Sequence, residues 1–139
     1  MHEITFTVPG APVGKARPRV ARFGTYTPET TVLYENLVKV EFVRQCGHCH
    51  FAEGPMQMQI DAYYPIPKGT SKKDRAEMLG GELRPTKKPD WDNIGKIISD
   101  ALNGVAYGDD SRIVDCRVIK QYAEKPCVKV TLGLIVRED

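Results

Sequence analysis

Between Asp92 and Asn103 the chain sorts its residues onto two sides of a helix. At about 100° per residue, Asp92, Lys96, Ser99, Asp100 and Asn103 share one arc, and Ile94, Ile97, Ile98, Ala101 and Leu102 lie opposite. A segment built this way must lay its apolar side on a core and leave its charged side exposed. The spacing predicts a helix from about Trp91 to Asn103, with Gly104 as the stop residue.

The rest of the chain supplies what that helix can cover. Ile4, Phe6 and Val8 alternate with polar residues, as in a half-buried strand, until Pro9-Gly10-Ala11-Pro12 ends it. A basic loop, 11–26, follows with Lys15, Arg17, Arg19 and Arg22, where Pro18 and Gly24 argue against regular structure. Thr27 is the expected cap and Pro28 the first residue of a helix running to about Gln45, with Val32, Leu33, Leu37, Val40 and Phe42/Val43 as its apolar face and Gly47 as its end. Met56 to Tyr64 alternates as a strand. Residues 68–88 carry Lys68, Lys72, Lys73, Arg75, Arg84, Lys87 and Lys88, and are expected to form a mobile basic loop with a short helix near Lys72–Met78. Ile113–Tyr122 and Cys127–Val136 complete the pattern as strands, the second with Val128, Val130, Leu132, Leu134 and Val136 on one face. The order β-α-β-loop-α-β-β implies an α+β fold, a small mixed β-sheet with two main helices.

With 139 residues the chain is expected to be a single domain, 1–139. No apolar run is long enough to span a membrane, and Met1-His2-Glu3-Ile4 lacks a basic region followed by an apolar one, so the expected location is cytoplasmic. The four cysteines are then expected to be reduced thiols. Cys46-Gly47-His48-Cys49-His50 matches the spacing of a haem attachment pattern, which would require export, and offers donors for zinc. Its plainer reading is a polar helix end that happens to carry thiols.

Charge is unevenly spread. Residues 1–89 hold 13 Lys and Arg against 9 Asp and Glu, whereas 90–139 hold 7 against 9. Acid is densest at Asp90 and Asp92, with Lys96 four residues on, and at the doublet Asp109-Asp110. Closely spaced carboxylates repel unless a cation neutralises them, and Mg²⁺ favours one or two carboxylates plus phosphate oxygens. Surface ion pairs along the helix and a Gly-Asp-Asp-Ser turn would explain the same residues without chemistry. A metal site would require the chain to bring Asp109-Asp110 back to the helix start.

The run Lys88-Pro-Asp-Trp-Asp-Asn-Ile-Gly-Lys-Ile-Ile-Ser-Asp-Ala-Leu-Asn-Gly104, followed by Asp109-Asp110-Ser-Arg-Ile113, resembles the signature of the RusA family of Holliday junction resolvases. Gly14-Lys15-Ala-Arg17-Pro-Arg19 and Tyr26-Thr-Pro resemble members from Gram-positive bacteria and their phages. The resemblance implies a RusA-like fold, a homodimer, a catalytic segment over 88–113, and nucleoid-associated work on branched DNA such as four-way junctions in recombination and repair. It implies metal binding by Asp90, Asp92 and Asp110, with Asp109 a less direct participant, and a catalytic role for Lys96. Asp100 matches a further acid of the family, and an i+4 partner that orients Lys96 would account for it equally well. The cofactor implied is Mg²⁺, with Mn²⁺ as the alternative, and no organic cofactor. In-line attack by water would leave a 5′-phosphate and a 3′-hydroxyl. Lys15, Arg17, Arg19, Arg22, Lys87 and Lys88 are the expected DNA-binding residues. The competing readings are a less selective branched-DNA nuclease and a non-catalytic DNA-binding module stabilised by zinc on Cys46, Cys49, His48 and His50.

Overall fold

A computed structural model describes residues 3–136; the readings that rest on Met1-His2 and on the last three residues lie outside them. In chain order the elements are β1 (Glu3–Pro9), β2 (Arg19–Ala21), β3 (Gly24–Tyr26), α1 (Glu29–Cys46), β4 (Met56–Pro65), α2 (Lys72–Leu79), α3 (Trp91–Leu102), a 3₁₀ turn (Asp110–Arg112), β5 (Ile113–Ala123) and β6 (Cys127–Leu134). The main sheet has the order β1-β6-β4-β5, with β4 and β5 parallel and the other pairs antiparallel. A parallel neighbour requires a crossover, and the segment carrying α2 and α3 provides it. The expected α+β architecture on a mixed sheet is the one observed. Among the described residues no helix is long and apolar enough to cross a membrane.

Register explains the core. Phe6 lies opposite Val130, Val130 opposite Ile60, and Ile60 opposite Val118, so one row of inward side chains crosses all four strands. Ile94, Ile97, Ile98, Ala101 and Leu102 of α3 and Tyr34, Val38 and Phe42 of α1 are buried in the same core. Phe42 meets Phe6 edge to face with ring centroids 5.4 Å apart. A bulge in the β4–β5 pairing skips Val114, so Ile113 and Val118 both pack on the core although they differ in parity.

Several expectations need correction. The buried side of α1 is Thr31, Tyr34, Val38 and Phe42, while Leu33 and Val40 are 60% and 59% exposed. Apolar residues occur on both sides of this helix, so periodicity alone could not choose between them. Pro28, extended at ψ 143°, is the cap in place of Thr27, and Glu29 is the first helical residue. The basic loop is partly regular: β2 and β3 pair as a short hairpin, Arg19 opposite Tyr26, with Gly24 at φ 124° closing the Arg22-Phe23 turn as the first residue of β3. β6 ends at Leu134, leaving Val136 outside the strand and 55% exposed. The 68–88 segment is tied to β5 more than a free loop would be. Ser71 caps α2 by accepting from the Asp74 amide, Arg75 pairs with Glu124, and Lys120 donates to the Lys87 carbonyl.

Candidate active site

The start of α3 is clasped from two sides. The Tyr64 hydroxyl, on β4, donates to the Pro89 carbonyl at 2.6 Å, just after the cis Lys88–Pro89 bond. Burial, followed by the charge of Asp90, pushes that hydroxyl's pKa up to about 12, so it stays a donor. On the other side the 12–16 strap lies against the helix. A side chain at Gly14 would meet Pro89 Cβ at 2.8 Å, and the Lys15 amide donates to the Asn93 carbonyl at 2.9 Å. Only glycine fits that approach.

This clasp presents Asp90 and Asp92 at the amino end of α3. Asp90 is the cap residue by position, but its side chain makes no capping hydrogen bond. The Asp92 carboxylate accepts from the Asn93 amide at 3.0 Å and has no ion-pair partner among the described residues. Of the two i,i+4 pairs open to Lys96, the one with Asp100 forms, at 3.2 Å, and among the described residues the one with Asp92 does not.

The chain then turns back toward α3. Gly104, at φ 75°, turns it, and its amide donates to the Tyr107 carbonyl. Tyr107 is fully buried and its hydroxyl donates to the Ser99 carbonyl at 2.7 Å, binding the returning chain to α3. Burial, then the nearby charges of Asp110 and Asp100, raise the Tyr107 pKa. Asp109 caps the 3₁₀ turn by accepting from the Ser111 amide, and hydrogen bonding by the Ser111 side chain, then by that amide, holds its carboxyl below the usual range. Arg112 donates to the carbonyls of Phe51 and Gly54 and fixes the other end of the turn.

As a result Asp92, Lys96 and Asp110 line one cleft of about 280 Å³, floored by Trp91, Gly95 and Val118. Asp90 opens on an adjacent depression with Arg17, Lys88 and Asn93, and Asp109 lines neither. Asp92 and Lys96 also border a third depression with Lys15 and Arg17. Of the residues singled out in the sequence, the fold therefore gathers Asp92, Lys96 and Asp110, sets Asp90 alongside, and gives Asp109 a capping role. Arg19 and Arg22 stand on the exposed hairpin, and Lys87 and Lys88 are exposed before α3. Lys15 turns inward, with its ammonium 2.8 Å from Glu35 and 3.3 Å from Asp100.

Among the described residues no three His, Cys, Asp or Glu side chains are close enough to form a complete protein cage for a metal ion. A two-carboxylate cleft open to solvent still suits Mg²⁺, which keeps several waters and completes its octahedron with substrate phosphate. The Cys/His stretch points elsewhere: Cys46 donates to the Thr5 carbonyl and His50 Nδ1 lies 3.1 Å from the Val105 carbonyl. Tyr64, Tyr107 and Glu35 are not singled out by the sequence, and Gly14 and Arg112 fall within the quoted motifs without a role assigned to them. Tyr107 immediately precedes the Gly-Asp-Asp-Ser turn, which is its local signal.

Comparison with known proteins identifies the family. The family model described as Endodeoxyribonuclease RusA matches residues 9–133, nearly the whole chain. YqaN, an uncharacterized protein of Bacillus subtilis (strain 168), is 38% identical over 141 aligned positions, covering 93% of this chain and 94% of its own. With the acid-lysine cleft lying inside the matched residues, the chain belongs to the RusA family of Holliday junction resolvases.

Proposed function

We propose that the protein resolves four-way DNA junctions by paired nicks in recombination and repair, and that it does so with a divalent metal ion, Mg²⁺ or Mn²⁺. Its family makes it an endodeoxyribonuclease; the metal, the residue roles and the dimer are our reading. The observation that carries it is the convergence of Asp92 and Asp110 with Lys96 in one cleft.

In this reading Asp92 and Asp110 hold the ion, and Asp90, whose carboxylate is not used to cap α3 but opens on the adjacent depression, would have to swing toward the ion to join them. The ion, when bound, would supply Lewis acidity toward the scissile phosphate and ease deprotonation of water. Lys96, 58% exposed, is free to face the phosphoryl oxygens and offset the charge that builds on them. Asp100 orients that ammonium through the i,i+4 contact. Arg17, Arg19, Arg22, Lys87 and Lys88 would meet the phosphate backbone, so binding should be strongly salt-dependent. The hairpin adds a second kind of contact. Phe23 is 81% exposed, its ring centroid lies 5.6 Å from that of Tyr26, and Arg22 precedes it, a combination suited to stacking on unpaired bases. Dimerisation is supported by the two-fold symmetry of a junction, where a C₂ pair would set one active site on each of two opposing strands.

The test is to incubate the protein with a four-way junction, a linear duplex and a flap, in Mg²⁺ and in EDTA. The reading expects junction cleavage that needs the metal and leaves the duplex intact. Equal cutting of all three would replace it with a less selective nuclease.

A further inference from the structure

We infer that Lys15 is a positioning residue for Lys96, acting through Asp100, and is not a phosphate contact. The inference rests on the catalytic role proposed for Lys96. Four charges, Glu35, Lys15, Asp100 and Lys96, form one chain beside the cleft. The Lys15 ammonium donates to Glu35 Oε2 at 2.8 Å and lies 3.3 Å from Asp100 Oδ2; the other oxygen of Asp100, Oδ1, accepts from Lys96 at 3.2 Å. The side chains of Lys15, Glu35 and Asp100 are 22%, 16% and 19% exposed, against 58% for Lys96. Lys96 is by far the most exposed member of the chain.

The backbone keeps Lys15 where it is. Gly14 is pressed against Pro89 and Asn93, the Lys15 amide donates to the Asn93 carbonyl, and the Ala16 amide donates to Thr31 Oγ1 at 3.4 Å. The strap is thus pinned to α3 on one side of Lys15 and to α1 on the other. Burial lowers the ammonium's pKa, but the bonds to Glu35 and Asp100 outweigh that and hold it above its usual value.

The consequence for Lys96 is electrostatic. Glu35 and Asp100 are half-buried acids sharing one cation, and without it they would face Lys96 with an uncompensated negative charge. Asp100 would then draw the Lys96 ammonium back from the cleft, and the same charge would oppose an incoming phosphate. With Lys15 on Oδ2, Asp100 fixes Lys96 by one oxygen and leaves most of its positive charge available.

Phosphate contact and positioning separate cleanly in kinetics. For Lys15→Met we expect the single-turnover cleavage rate at saturating junction to fall about 10-fold. Junction affinity in EDTA, and the slope of that affinity with salt, should stay at wild-type values. Lys15→Arg should restore the rate, and the double variant Lys15→Met/Glu35→Gln should recover part of it, because the surplus acid is gone. Thermal unfolding identifies any variant that fails to fold; the double variant and Lys15→Arg then carry the test. A weakened metal-free affinity with a salt slope smaller by about one, at an unchanged saturated rate, would make Lys15 a phosphate contact and overturn the inference. So would a double variant as slow as the single one. A wild-type protein that does not cleave at all would instead refute the functional reading.

Discussion

α1 and α3 cover the same sheet face, yet they are built on opposite plans. In α3 the inward side is entirely apolar, and the outward side carries Asp92, Lys96 and Asp100. α1 buries Thr31 and Tyr34 together with Val38 and Phe42, and turns Leu33, Val40 and Val43 outward. The clean division in α3 does two jobs at once: its apolar side sets the helix rotation, and that rotation aims the charged side at the cleft. α1 needs no such aim. Tyr34 is held with its hydroxyl buried and unpartnered among the described residues, and burial raises its pKa. The helix contributes Glu35 to the charge chain and Thr31 to hold the strap, and its remaining buried residues serve as a wall.

The comparison breaks if the outward side of α3 matters no more than that of α1. Replacing Lys96 by Ala should lower the saturated cleavage rate by about 10²–10³-fold, as for loss of a group that stabilises transition-state charge, while the urea midpoint stays put. An unchanged rate would make α3 an ordinary surface helix. The inward sides predict the next largest effect. Ile97→Ala removes a fully buried side chain and should cost about 2–5 kcal/mol in urea unfolding. Tyr64→Phe should cost about 1 kcal/mol through the lost bond to the Pro89 carbonyl, and cleavage should slow because that bond holds the entry to Asp90. The smallest effect belongs to the outward side of α1. Val40→Ala, at a residue 59% exposed, should change stability by less than about 0.5 kcal/mol. A larger loss there would show that α1 is covered.

What could be read from the sequence follows from how local each signal is. α3, β1 and β4 were legible because their periodicity repeats over two turns or several alternations within one segment. α1 was legible as a helix but not in its rotation, since Val32, Leu33, Leu37 and Val40 form as good a stripe as the one buried. The hairpin at Arg19–Ala21 and Gly24–Tyr26 was hidden by its three-residue strands, too short for alternation to be seen beside Pro18 and Gly24. For the site, Asp92, Lys96 and Asp110 could be named because they lie in one ordered motif. The inward turn of Lys15 could not, because Glu35 and Asp100 reach it from two different helices. The capping role of Asp109 depends on the backbone of the 3₁₀ turn, and nothing in Gly-Asp-Asp-Ser distinguishes the two acids.

The central claim is that the carboxylates gathered at the amino end of α3 perform the chemistry and do not merely decorate a DNA-binding surface. Asp92→Asn tests it most directly, with cleavage of a synthetic four-way junction in Mg²⁺ and binding of the same junction in EDTA measured on one preparation. The account predicts that cleavage is abolished while binding is retained. A folded Asp92→Asn protein that cleaves the junction at the wild-type rate would contradict it.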